Sequence, residues 1–413
     1  MRVLMLAQFY PPIVGGEEHA VAVLGMELAR RGHDVAVATI HHPGLAESEE
    51  AEGVRLHRLQ STASMLPFLY SADRLHAPPG PDPALVRRLR RVLAVEQPDV
   101  VHAHNWIVHS YLPLKWIGRV PLVLSLHDYS LICSTKRLMR DGELCSGPAI
   151  VKCTRCAGRH YGTLKGAGVA ALVEAATRPQ DALVDEYVPV SEAVAQHARL
   201  HRRSTPYEVI PNFFAPPPPP AFTSIAQRLP SGDFVLFAGD VSHEKGAAVL
   251  LRAFAGIERS PMPLVVIGRQ LLGQEWQSLP DGAIRIDQLD HGSVIEAFRR
   301  CALAVVPSIW PEPFGLVAIE AMAMGKPVIA ARSGGLPEVV IDDVTGLLVE
   351  PGDVEDLRHA LVRLMSDREL RERLGQASAR RAERHFSADA VVPRFERLYA
   401  RTIARSRARA RYG

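Results

Sequence analysis

Short apolar runs return along this chain, alternating with stretches of helical spacing, and the series is interrupted once by a run of prolines. The first series holds "RVLMLA" (2–7), "DVAVATI" (34–40), "DVVHAH" (99–104), "PLVLSLHD" (121–128) and "YVPVS" (187–191), with helical patterns from about Glu18 to Arg30 and near 82–96. Strands and helices alternating in this way predict a parallel sheet with helices on both faces. In "YEVIPNFFAPPPPPAF" (207–222) the pattern stops, because a proline run fits neither a helix nor a central strand. It then resumes with "FVLFAGD" (234–240), "PLVVIGR" (263–269), "AIRIDQ" (283–288), "CALAVVPS" (301–308), "PVIAA" (327–331) and "GLLVEP" (346–351), and with helical patterns near 246–258, 292–300 and 315–324. The expectation is an α/β protein of two doubly wound, Rossmann-like domains, residues 1–205 and 231–387, joined by a semi-rigid linker over 206–230. From Ala388 onward, Val391, Phe395, Leu398, Tyr399 and Ile403 fall on one helical face that needs a surface to cover. The "RSRARARYG" that follows is expected to fray, being too charged to pack.

A chain of 413 residues exceeds what one core usually organises, and ligand sites favour the cleft between two domains. No apolar run reaches the length of about 18 residues that a membrane helix needs. The opening "MRVLMLAQFYPP" runs into two prolines without a small-residue cleavage site, so it reads as a buried strand, and a cytoplasmic location is expected. A net charge of +3, without a basic stripe interleaved with aromatics, argues against nucleic acid as a partner.

Ligands of doubly wound sheets bind beyond the carboxyl ends of the strands. Glu312 lies just past one such end, in "SIWPEPFGLVAIEAMAMGKPVIA" (308–330). The amides of Phe314, Gly315 and Leu316 open the next helix, where free N–H groups bind anions. Glu320 sits farther along an otherwise apolar stretch, where an unpaired carboxylate is costly to bury, so it needs a partner that a ligand hydroxyl would supply. Spacing alone equally allows a cap and a surface charge.

The order of the motifs is more specific. "YPPIVGGEEHAV" near the start, "PDVVHAH", "LHD" (126–128), "VSEAV" (190–194), "VIPN" (209–212), "FAGDVSHEKG" (237–246), "PEPFGLVAIEAM" and "GLPEVVIDDVTGLLV" (335–349) together resemble the retaining glycosyltransferases of family 4 over nearly the whole chain. The resemblance implies the GT-B fold, with two Rossmann-like domains facing a central cleft and a terminal helix, 388–413, crossing back to the N-terminal, acceptor-side domain. It implies transfer of a sugar from a nucleotide-diphosphate-sugar donor to a hydroxyl of a glycan, lipid-linked or small-molecule acceptor.

Carried over by position, Glu312 resembles the glutamate on the donor sugar and Glu320 the one on the ribose. Phe314, Gly315 and Leu316 resemble the backbone touching sugar and phosphate. Gly15 and Gly16 match the glycine loop beside the diphosphate. Lys245 matches the cation on the leaving group, and His127 the residue beside the transferred sugar. The family's arginine is replaced by Asp240, and Arg269 is the residue that could substitute for it. Such a scheme needs no catalytic metal, and the pair Asp342-Asp343 reads as structural. An epimerase on the same fold, which would turn over donor alone, and a nucleotide-sugar-binding protein without catalysis are the alternatives. Peripheral contact with the inner face of a membrane, through the acceptor-side domain or the basic tail, is a further expectation.

Cys133, Cys145, Cys153 and Cys156 share one polar segment, the last two as C-x-x-C, which suggests a structural zinc or, alternatively, four reduced thiols. Cys301 reads as core. "GAGVAA" (166–171) mimics a dinucleotide fingerprint but follows no strand.

Overall fold

The structure, a computed structural model, describes residues 1–13, 15–65, 76–215, 224–272 and 279–412. The chain forms two compact units: Met1–Arg140, Cys145–Pro211 and Val391–Gly413 make the first, and Asp141–Leu144 and Asn212–Ala390 the second. Among the described residues no helix is long and apolar enough to cross a membrane.

In the first unit, β1 (Arg2–Leu6), β2 (Asp34–Ile40), β3 (Ser48–Ala51), β4 (Val54–Leu59), β5 (Val100–His104), β6 (Leu122–Leu126) and β9 (Glu186–Pro189) form one sheet. The two-residue strands β7 (Met139–Arg140) and β8 (Glu143–Leu144) lie outside it. The sheet order is β3-β4-β2-β1-β5-β6-β9, parallel except for the β3–β4 pair. Central strands such as β1 and β5 are buried almost throughout, as strands covered on both faces must be, and so they read as unbroken apolar runs. The sequence reading lacks β3 and β4 for the converse reason. Strand β3 is "SEEA" and wholly exposed. In β4, Val54 and Leu56 are buried while Arg55 and His57 turn to the Glu96 carboxylate, at 2.5 and 2.7 Å.

Two other expectations are corrected. Residues 206–210 are not linker: Tyr187 N–H donates to the Pro206 carbonyl and the amides of Glu208 and Ile210 donate to Tyr187 and Pro189, so this segment extends the sheet past β9. The proline run at 216–220 lies outside the described residues. Nor does the basic tail fray. The terminal helix continues from Ala388 to Tyr412, where Arg401 and Arg405 both pair with the buried Glu186, and Ser406 Oγ donates to the Arg119 carbonyl at 3.0 Å. The acids that neutralise this tail come from strand ends distant in sequence, which composition cannot reveal.

The second unit is a six-stranded parallel sheet of β10 (Val235–Ala238), β11 (Leu264–Ile267), β12 (Ala283–Ile286), β13 (Leu303–Val306), β14 (Val328–Ala331) and β15 (Gly346–Val349), in the order β12-β11-β10-β13-β14-β15. Helix Ala247–Ala255 and helix Val354–Ser366 pack over it through Leu250, Phe254, Leu357, Leu361 and Leu364. The strand order reverses between β10 and β13, and it does so again in the first unit between β1 and β5. Such switch points are where loops diverge and leave room for a ligand.

Candidate active site

Both sides of the second unit's switch point carry charge. Lys245 follows β10 and Glu312 follows β13, and Lys245 Nζ donates to both carboxylate oxygens of Glu312, at 3.0 and 2.8 Å. Glu312 is only 9% exposed, and its Oε2 also accepts from Ser308 Oγ at 3.0 Å and Trp310 Nε1 at 2.8 Å. Charge-assisted bonds of this kind offset the cost of burying a carboxylate. The lysine also sits 4.9 Å from the centre of the Trp310 ring. Backbone packing fixes the pair from below. Gly246 has φ 74, and a Cβ there would overlap the Pro307 carbonyl, while a Cβ at Gly334 would overlap the Glu312 backbone.

Helix Leu316–Ala323 begins beside Glu312, capped by Gly315 in the left-handed region at φ 105. Phe314 is buried and meets Phe386 edge-on. The first amides of this helix, from Leu316 on, have no carbonyl one turn back to pair with. Glu320, 8% exposed, does have a protein partner: His291 Nε2, 2.9 Å away. Burial alone would depress that imidazole, but the hydrogen bond and charge of Glu320 outweigh burial and raise its pKa. The sequence reading missed His291; the signal was the helix start "DHGS", where Asp290 caps Ser293 and brings the next residue to the first turn.

Arg269, after β11, is held by Asp240, after β10, through Nη2 to Oδ2 at 2.9 Å and Nε to Oδ1 at 3.3 Å. Asp240 thus engages Arg269, whereas Lys245 is engaged by Glu312. Asp342 and Asp343 pair with Arg332 and Arg363.

In the first unit Gly15 and Gly16 follow β1, and Gly16 opens the helix Gly16–Arg30. Gly15 is extended, a conformation open to any residue, and a Cβ there would meet only the tip of the Glu18 side chain. His127, after β6, shares a hydrogen bond with His104, Nε2 to Nδ1 at 2.9 Å. His127 Nδ1 and His104 Nε2 are buried and have no hydrogen-bond partner among the described residues. Burial holds His127 down at about 4, so its imidazole is neutral at pH 7. Behind it His102 bridges Tyr399 of the terminal helix at 2.7 Å and Ser125 at 2.8 Å.

Next to His127 lies a polar cluster that the sequence reading did not single out. Asn105, left-handed at φ 62, donates to Glu17 at 2.8 Å and to Asp128 at 3.0 Å, and accepts from Lys136 at 2.7 Å. Burial, and after it the charge of Asp128, push the Glu17 carboxyl up to about 8. Its members come from the ends of β1, β5 and β6, as Gly15 and His127 do.

Each unit thus carries a polar constellation at the switch point of a largely parallel sheet. Residues 14–216 match the family described as Glycosyltransferase Family 4, and residues 225–381 the one described as Glycosyl transferases group 1. A D-inositol 3-phosphate glycosyltransferase of Saccharomonospora viridis is 30% identical over 407 residues, covering 90% of this chain and 85% of the relative. A glycogen synthase of Mycobacterium tuberculosis is 28% identical over 423 residues, covering 97% and 94%. Among solved structures, sucrose-phosphate synthase of Thermosynechococcus elongatus superposes with a TM-score of 0.75 at 22% identity, covering 97% of this chain and 99% of that one. Alr3699/HepE of Anabaena, in complex with UDP-glucose, does so with a TM-score of 0.65 at 18% identity, covering 97% and 99%. The chain belongs to the family 4 glycosyltransferases.

Proposed function

We propose that this glycosyltransferase moves a hexose from a nucleotide-diphosphate-sugar donor to a hydroxyl acceptor with retention of anomeric configuration. The observation that carries this reading is the Lys245–Glu312 pair, set across the switch point and beside the amide end of helix Leu316–Ala323. Lys245 neutralises the charge that grows on the departing diphosphate, assisted by Arg269 and by the amides of Phe314, Gly315 and Leu316. Glu312 orients the sugar, and Glu320, with His291 behind it, holds the ribose hydroxyls. On the first unit, Gly15 and Gly16 leave backbone room for a phosphate, and the neutral His127 can hydrogen-bond a sugar hydroxyl. These groups supply positive charge and alignment without a metal. The names of the relatives, glycogen synthase and D-inositol 3-phosphate glycosyltransferase, support a glycan or polyol acceptor.

Screening nucleotide sugars by thermal shift identifies the donor, since a ligand raises the melting temperature in proportion to the logarithm of its concentration over Kd. Product anomericity by NMR tests retention. Glu312→Gln should cut kcat by about 100-fold or more, the scale of losing one aligned polar contact in a transition state. It should leave the affinity for the bare nucleotide diphosphate equal or tighter, because Lys245 loses its internal counter-charge. Equal losses in both would make Glu312 a structural residue.

A further inference from the structure

Four of the five cysteines, Cys133, Cys145, Cys153 and Cys156, line a single cavity of about 20 Å³ in the first unit. That volume suits one atom-sized guest. The backbone brings them there by separate devices. Cys133 N–H donates to the Tyr129 carbonyl at 2.8 Å, and its own carbonyl accepts from Lys136 N–H at 3.0 Å, which makes a tight turn. Cys145 N–H donates to the Leu138 carbonyl at 2.8 Å. Cys153 stands in the first turns of helix Ile150–Tyr161, and Cys156, three residues on, shares its face.

Side-chain bonds fix its ends, Lys136 to Asn105 at 2.7 Å and Tyr161 to the Ser134 carbonyl at 2.9 Å, while the stretch between them is strained and exposed. Lys136, Leu138 and Asp141 are left-handed without being glycine, each at a conformational cost, and Leu144, Ile150 and Val151 are more than half exposed. Leu138 is buried, but the strained turns and the exposed Leu144, Ile150 and Val151 leave the stretch from 139 to 151 with little apolar anchorage of its own.

We propose that the four cysteines form a structural zinc site, their sulfurs closing from the cavity wall onto one Zn²⁺. The ligand is the thiolate, so four thiols release four protons to solvent as four Zn–S bonds form, and the centre carries a net charge of −2. The surroundings suit that charge: Arg140 and Lys152 line the same cavity, and the Ala149 N–H already points at Cys153 Sγ, at 3.4 Å. As neutral thiols the four have no mutual attraction. Cys133 Sγ contacts Thr135 Oγ1 at 3.4 Å and Cys145 Sγ contacts the Gly147 carbonyl at 3.6 Å. Among the described residues no three His, Cys, Asp or Glu are grouped closely enough to hold a metal as they stand, so the sulfurs must draw together on binding. An all-sulfur set of four favours zinc over the oxygen-seeking magnesium and calcium, and it leaves no open position for catalysis. Cys301 is excluded: it is buried, donates to the Phe298 carbonyl at 3.3 Å, and burial pushes its thiol up to about 12.

The test uses the full chain purified without added metal. Elemental analysis should give one zinc per chain, and a thiol reagent should find none of the five cysteines until a strong chelator exposes four. Cobalt added to the stripped protein should give the intense absorption of a tetrahedral thiolate centre, and proteolysis of the stripped protein should begin within 133–156. Cys153→Ser/Cys156→Ser should lose the metal; should that variant fail to fold, the zinc content of the native chain still decides. Four thiols reacting at once with no stoichiometric metal, a disulfide among them, or iron in place of zinc would each overturn the assignment.

Discussion

Asp240, just past the carboxyl end of β10, turns both its oxygens to Arg269. The pair is exposed, so its own stability contribution is small, at most about 1 kcal/mol. Its effect is directional: it fixes one guanidinium at the carboxyl ends of β10 and β11. Asp240→Asn should therefore weaken nucleotide-diphosphate binding by no more than about fivefold, and Arg269→Ala by more. Calorimetry at low and high salt distinguishes this from repulsion by a free carboxylate, which would make Asp240→Asn bind tighter at low salt. Glu17 gives a second prediction at this scale. Its folded pKa of about 8 lies above the ordinary value of 4.5, so between those limits the folded state keeps a proton that the unfolded chain has released. Stability conferred at low pH is thus lost as pH rises through that window. Glu17→Gln, which can still accept from Asn105, should match the native protein near pH 4 and melt higher above pH 8; parallel melting curves across that range would contradict the assignment. Glu312, Glu320 and Lys245 were legible in the sequence because family spacing marks them. Asn105 and Lys136 were not, since a lone amide and a lone lysine acquire meaning only when turns bring them to Glu17 and Asp128.

At the scale of elements, the candidate donor site is set by how closely loops stack, and glycine marks where. Gly246 lies between Lys245 and helix Ala247–Ala255 at φ 74, pressed on the Pro307 carbonyl that leads into the Glu312 loop. Gly246→Ala adds a left-handed penalty to a backbone overlap, and it should destabilise the protein by at least about 2 kcal/mol. It should also abolish turnover without touching a ligand; circular dichroism melts and rates together check this, and an unchanged melt would mean that the loop yields. The same elements show what sequence conveys. Fully buried parallel strands advertise themselves as apolar runs, and every such run in the second unit became a strand. Edge elements advertise nothing: β3 has no apolar residue but its terminal alanine, and 206–210 reads as a linker although it hydrogen-bonds along β9.

At the scale of the molecule, the two series of strands on either side of the prolines foretold two units, and the apolar stripe after Ala388 foretold a helix with a surface to cover. Where the chain divides was less legible, because contacts place the boundaries at Pro211 and Ala390, and four residues, Asp141–Leu144, count with the second unit. The buried Val391, Val392, Phe395, Leu398 and Tyr399 all belong to the first unit, which is therefore assembled from distant parts of the chain. On a ribosome this imposes an order. The second unit's residues emerge in full while the first still lacks its closing helix, and His102 still lacks the Tyr399 hydroxyl. Arrested nascent chains should acquire protease resistance in the second unit first, and in the first only once residues 391–412 have cleared the exit tunnel. The half of the protein that is translated first is the half that must wait to be finished.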